Sequence, residues 1–305
     1  MSLRALAMKI IFLSQTALGI LGNSACLCHF ILTDFTRSRA KPTDLIAKHL
    51  TWANLMVFLF KGVPHTMATF GHVHFLDDIS CKLVFYFHRV ARGVSLSSTA
   101  LLSVTEAIII SHSTPLWVQL KNKVDKIVRS SLVLCWALHI LVNIFIFMRV
   151  TDVRHTANLT GFRDFVYCAI SDAHSLSNTV CAVVVVSIDV TCVGLMMWTS
   201  GSMVLMLLKH RQRVQHLHSS LSVRSSPETR ATQSVLALVS SFVLFYVTSA
   251  ILSVCFPFFD STTMWLVNAN VAMSACFPAL CPFLLLNQYS SASRLCITKS
   301  HKTGL

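Results

Sequence analysis

Cys81–Ile110 reads CKLVFYFHRVARGVSLSSTALLSVTEAIII, a run longer than the roughly 20 residues a helix needs to cross about 30 Å of hydrocarbon. Similar apolar stretches flank it on both sides, at residues 10–32, 45–67, 127–150, 179–208, 231–258 and 264–286. Together they predict an all-α membrane protein, a seven-transmembrane helix bundle forming one domain over residues 1–305, with a tail at 287–305. Composition agrees: 54% of residues are hydrophobic and only 12% are charged, more apolar surface than one soluble core can hide. The second stretch is interrupted by Lys61 and Pro64; a proline is tolerated in a span where neighbouring helices satisfy the freed carbonyls.

The net charge of +13 does not point to nucleic acid, which needs a basic patch on a folded polar domain. The basic residues fall instead on one side of the alternation. Arg37, Arg39, Lys41 and Lys48, then Lys121, Lys123, Lys126 and Arg129, then Lys209, Arg211, Arg213, Arg224 and Arg230, and finally Arg294, Lys299 and Lys302 share that side. Arg4, Lys9, Lys82, Arg149, Arg154 and Arg163 lie on the other. The positive-inside rule then predicts an outer amino terminus and a cytoplasmic carboxyl terminus. Asn158-Leu159-Thr160, a glycosylation acceptor triplet, falls in an outer loop on this reading. Cys81 and Cys168 would both meet the oxidising side. Cys26, Cys28 and His29 lack a fourth ligand, so no metal and no cofactor is expected, and Cys296, beside Arg294 past the last span, is a palmitoylation candidate.

Seven spans, Gly22-Asn23 in the first and a cysteine heading the third look like a G-protein-coupled receptor, but rhodopsin-like hallmarks are replaced. The third span ends Ser103-Val104-Thr105-Glu106-Ala107, and the seventh carries Cys276-Phe277-Pro278-Ala279-Leu280-Cys281-Pro282-Phe283. With Thr43 to Leu50, Lys61-Gly62-Val63-Pro64, Cys81 to Ser95, Lys209 to His216 and Ser226 to Ser234, the chain resembles the vomeronasal type-1 pheromone receptor family. The resemblance implies a disulfide between Cys81 and Cys168, a small pheromone-like ligand such as a steroid sulfate, and a heterotrimeric G protein of the inhibitory class. The chain departs from the family at Glu106, where Gln is usual, at Ile188, which replaces the Pro of a Pro-Asp pair, at Thr99, near which the family has a cysteine, and at Cys281, where Ser is usual.

Topology does not explain Lys61, Arg89 and Arg92, which lie within the outer halves of spans. Charges there must snorkel, pair or face a wet cavity. Counted from Cys81, Arg89 lies about 12 Å and Arg92 about 17 Å down the third helix, and His88 shares part of their face. Two readings stand side by side: the three cations form the polar end of an outer ligand cavity, or they pair with Asp172 or Asp189 and hold helices together. Phe85, Phe87, Phe256 and Phe258 would supply apolar wall, with Asn268 and Asn270 as polar handles. Near the inner end, Glu106 either pairs with Arg230 or Arg129 as a latch or is a solvated interface carboxylate. Arg211, Arg213 and Arg230 belong to a cationic inner loop that suits an acidic G-protein surface or anionic lipid.

The expected function is a chemosensory receptor in the plasma membrane, in contact with lipid, a small ligand and a G protein. Alternatives are a bitter-taste-type receptor, or a small transporter or channel, although no inverted repeat is visible. Enzyme activity is not expected, since no nucleophile constellation or phosphate-binding loop is present.

Overall fold

The computed structural model describes residues 3–36, 41–72, 75–111, 115–151, 162–165, 167–171, 176–217, 227–255 and 264–300. It is nearly all helix: α1 (Leu3–Thr36), α2 (Pro42–Val57), α3 (Val63–Thr69), α4 (Asp78–Ile110), α5 (Pro115–Val142), α6 (Leu176–Leu217), α7 (Pro227–Cys255) and α8 (Met264–Ser300). Among the described residues six of these, all but α2 and α3, hold windows long and apolar enough to cross a membrane. The expected second span differs. A five-residue π-helical turn, Phe58–Gly62, joins α2 to α3, so the rod from Pro42 to Thr69 stays helical but changes register.

The reason is local. Pro64 has no N–H to give to the carbonyl four residues earlier, and a π turn is one way a helix absorbs such a misfit. Thr66 Oγ1 returns a hydrogen bond to the Gly62 carbonyl at 2.7 Å and meets Thr16 Oγ1 of α1 at 3.1 Å. Gly62 lets the two rods approach: a Cβ there would sit 3.0 Å from Phe58 Cδ1 and 3.1 Å from Thr16 Oγ1. A second proline effect shapes α8. Pro282 cannot donate to the carbonyl of Pro278, and Asn23 Nδ2 of α1 supplies the missing donor at 2.9 Å while also holding the Gly19 carbonyl at 2.7 Å.

Helix α4 is the axle of the bundle: 72% of its apolar window is buried, against 28% or less for the windows of the other five. Its small residues explain why. Ala91, Gly93, Ser95, Ser97, Ser98, Thr99 and Ala100 are all buried and let neighbours close in. Asp77 caps its start by accepting from Ser80 N at 3.0 Å. The hydrogen bonds from Ser80 hold the Asp77 carboxyl below its ordinary pKa, so the cap's contribution is present above that ordinary value and is lost as pH falls through the lowered one.

One core cluster joins α1, α2, α4, α5, α6, α7 and α8 around Leu50, Leu96, Leu238 and Phe277. A second lies at the Cys81 end, around Val90, Tyr86, Tyr167 and the Cys81–Cys168 disulfide. The sequence reading did not foresee the three short strands there. β1 (Val150–Thr151), β2 (Phe162–Phe165) and β3 (Cys168–Ser171) form an antiparallel sheet in the order β1-β3-β2, with Val150 opposite Ile170 and Phe165 opposite Cys168. The disulfide that the resemblance implied is present and ties the middle strand of this sheet to the first turn of α4.

Candidate functional site

Between the α4 axle and the parts of α2, α3, α7 and α8 toward the Cys81 end lie two adjoining chambers. The outer one, about 590 Å³, is bounded by Lys61 and His65 on one side, Phe85 and His88 of α4 on another, and Tyr167 and Asn270. The deeper one, about 470 Å³, is bounded by His88, Arg92 and Ser95 of α4 and by Phe242, Tyr246 and Ser249 of α7. His88 belongs to both.

The helical geometry explains the grouping. His88 and Arg92 are four residues apart and share a face of α4. Lys61, at the π turn, and His65, one turn later, both reach the outer chamber. His65 Nε2 contacts Asn268 Oδ1 at 3.2 Å and its ring meets Phe12 edge-on at 4.5 Å. The Arg92 guanidinium lies over the Tyr246 ring, 5.2 Å from its centre, a cation–π contact. Ser95 Oγ donates to Asn54 Oδ1 at 2.7 Å, and Ser249 Oγ to Asn270 Oδ1 at 2.7 Å. Tyr167, 6% exposed, covers the outer chamber beside the disulfide; burial pushes its phenol pKa up, keeping it neutral.

The expected cationic trio separates. Lys61 and Arg92 line the two chambers, but Arg89 turns toward α5, donating from Nε to Asn143 Oδ1 at 3.1 Å and lying 5.9 Å from the Phe145 ring centre. Asp189 is not the ion-pair partner of either arginine among the described residues; Tyr246 Oη donates to its Oδ2 at 2.6 Å. That neutral donor satisfies the carboxylate across the α6–α7 boundary. Phe85 lines the outer chamber as expected, while Phe87 stacks on Phe60 at 4.9 Å. Asn268 serves His65, and Asn270 lines the outer chamber. Asp172, Phe256, Phe258 and Asn158 lie outside the described residues.

At the end of α4 opposite Cys81, Glu106 is 6% exposed, which rules against the solvated carboxylate. Nor does it pair with Arg129, whose side chain is exposed. The helical backbones of Arg211, Arg213 and Arg230 are described, in α6 and α7, but their side chains are not.

Sequence reasoning missed His65, Tyr246, Ser249 and Tyr167. His65 carried a signal, its spacing of four from Lys61. Tyr246 and Ser249 read as ordinary residues of an apolar helix, and only the packing of α7 against α4 and α8 brings them to the chambers.

The whole chain has clear relatives. Residues 6–298 match the sequence model of the vomeronasal organ pheromone receptor family. The chain is 46% identical over 285 residues to vomeronasal type-1 receptor 4 of Homo sapiens, covering 93% of this chain and 95% of that one. It is 44% identical over 297 residues to vomeronasal type-1 receptor 3 of Homo sapiens, covering 97% and 95%. A more distant relative, olfactory receptor class A-like protein 1 of Danio rerio, is 29% identical over 294 residues, covering 95% and 92%. With a disulfide-stapled helical bundle and six membrane-length helices already in view, these matches settle the identity: the chain belongs to the vomeronasal organ pheromone receptor family and is a multi-pass membrane receptor of the chemosensory kind.

Proposed function

We propose that residues 1–305 form one seven-span, G-protein-coupled pheromone receptor with an outer amino terminus and a cytoplasmic carboxyl terminus. The span that brings the count from six to seven, second in chain order, is the Pro42–Thr69 rod; its helical continuity through the π turn supports this, since it exceeds the length a bilayer requires. The distribution of basic residues supports the orientation. Asn158 is the glycosylation acceptor on the outer side.

The ligand is small and amphipathic, with an anionic or hydrogen-bonding head and an apolar body, and it occupies the two chambers around His88. The observation that carries this reading is that Lys61, His88 and Arg92 converge on those chambers with no hydrogen bond or ion pair to another described residue. Unpaired cations such as Lys61 and Arg92, and an imidazole without a partner, cost stability inside a bundle unless something polar completes them. Phe85 and Asn268 frame the site, and Asp189 shapes it by holding Tyr246. Arg89 contributes by fixing α4 against α5. Ligand shifts a two-state bundle, and the inner face around Glu106, Arg211, Arg213 and Arg230 opens to a heterotrimeric G protein, of the inhibitory class by family resemblance.

The test is surface-tagged expression with a G-protein reporter, using a steroid sulfate and its uncharged parent steroid as probes. Losing a charge-assisted hydrogen bond, about 1.5–3 kcal/mol, weakens binding roughly 10- to 150-fold. Lys61→Ala or Arg92→Ala should shift the sulfate response by that factor and leave the parent steroid's response nearly unchanged. Normal surface levels with both responses intact in both variants would defeat the proposal.

A further inference from the structure

On the outer flank of the bundle, α6 and α7 part to leave an apolar groove of about 1000 Å³ walled by Val190, Val193, Gly194, Val247, Ala250 and Ile251. Only 6% of the apolar window of α6 is buried, and Val190 and Ile251 are 65% and 57% exposed. Both walls belong to membrane-length windows, Thr179–Met206 and Val235–Leu252, so the groove opens toward hydrocarbon rather than water. Gly194 belongs to its wall, and a Cβ there would meet no side chain or neighbouring helix within 4 Å.

One side chain belongs to both this groove and the bundle interior. Tyr246 is a wall of the groove and also a wall of the Arg92 chamber. Arg92 lies over its ring, Phe242 stacks on it at 5.7 Å, and its hydroxyl is tied to Asp189 of α6 at 2.6 Å. Between the lipid-facing groove and a chamber whose guanidinium has no ion-pair partner among the described residues, therefore, stands the Tyr246 side chain, tied by one hydrogen bond across the α6–α7 gap.

We infer that the α6–α7 groove is a membrane-side portal, gated by Tyr246, through which an amphipathic ligand with an anionic head passes from the bilayer into the Arg92 chamber. The inference rests on the reading that the chambers bind ligand. The groove supplies an apolar path for the body of such a molecule, and Arg92, just behind the gate, supplies the counter-charge that draws in its head. A neutral, strongly hydrated solute gains nothing along such walls.

The test uses the full chain in lipid nanodiscs and a steroid sulfate bearing a diazirine on its ring system, with light-induced labelling followed over time by peptide mapping. In the wild type the probe labels the groove at Val247 or Ile251 first and the chamber at Phe242 or Phe245 later. Gly194→Trp fills the groove without touching the chamber and should slow chamber labelling at least 10-fold while leaving its final extent unchanged. Ile251→Trp, at the rim, should act the same way should the first variant fold poorly, and Gly194→Ala should match the wild type. Tyr246→Phe, which loses the bond to Asp189, should speed chamber labelling several-fold. Chamber labelling at the wild-type rate in both tryptophan variants overturns the portal and leaves the binding reading intact. Absence of chamber labelling in the wild type overturns both. A phospholipid with an acyl-chain diazirine that labels the groove and is not displaced by the steroid sulfate makes it a lipid seat, which also overturns the portal.

Discussion

Replacing Gly93 by Ala asks how closely α4 and α5 must approach. A Cβ at Gly93 would stand 2.5 Å from His139 Cε1 and 2.8 Å from its Cγ. The ring has nowhere easy to go: His139 is 4% exposed and its Nε2 is 2.8 Å from Ser97 Oγ. Either α5 shifts outward or the imidazole leaves its pocket and its hydrogen bond. Overpacking of this kind costs about 1–3 kcal/mol, and losing the buried bond adds about 1 kcal/mol. The expected loss is roughly 2–4 kcal/mol, which lowers the melting temperature by about 3–6 °C in a protein of this size. The assay is thermal unfolding of purified protein in detergent, run as a double-mutant cycle with His139→Ala. That second change alone leaves a cavity and strands Ser97, at about 2 kcal/mol. With the ring removed, however, the Gly93→Ala methyl fits. The double variant should therefore be more stable than the sum of the single losses by over about 1 kcal/mol. Strict additivity, or a Gly93→Ala protein that melts like the wild type, would refute the packing argument.

Two further outcomes follow from the fold. Cys81 and Cys168 are 87 residues apart, and closing a loop of that length is worth at most about 4.6 kcal/mol of chain entropy, with α4 held in the bilayer lowering the figure; Cys81→Ala with Cys168→Ala should cut surface expression severalfold, measured by flow cytometry. Arg89→Ala removes the bond to Asn143 and the contact with Phe145; it should reduce thermal stability by about 1–3 kcal/mol without changing the affinity of the molecules that do fold, a split that separates Arg89 from Arg92.

The apolar runs were legible because a bilayer imposes one length scale on every span: α1, α4, α6 and α8 contain the expected stretches, and α7 covers its stretch as far as Cys255. The ends were less so. Polar residues do not stop a helix, so α6 runs on past Lys209 to Leu217, and α5 begins at Pro115, well before Ile127. The outer strands carried no alternating pattern to read; they are held by the anchoring of Cys168 to α4. In the site, hydropathy marked which cations were anomalous, but partners depend on how each helix is rotated. Spacing along α4 placed Arg89 and Arg92 together, yet one faces Asn143 and the other Tyr246. A buried carboxylate needs compensation, and for Asp189 a tyrosine from another helix meets that need as well as an arginine would.

The π turn at Phe58–Gly62 makes the outer third of its rod sensitive to chain length rather than to side-chain chemistry. An α-helix advances about 100° per residue, and a π turn accommodates one residue more than the α pattern would. Deleting any one residue between Phe58 and Gly62 would restore the regular winding while swinging Val63–Thr69 through about 100°. His65 would leave Asn268, and Thr66 would leave Thr16, although every side chain beyond the deletion remained. For relatives of this chain that keep the turn, single-residue insertions and deletions here should therefore be rarer than substitutions, and a gap in this segment would mark a receptor whose outer chamber has been rebuilt.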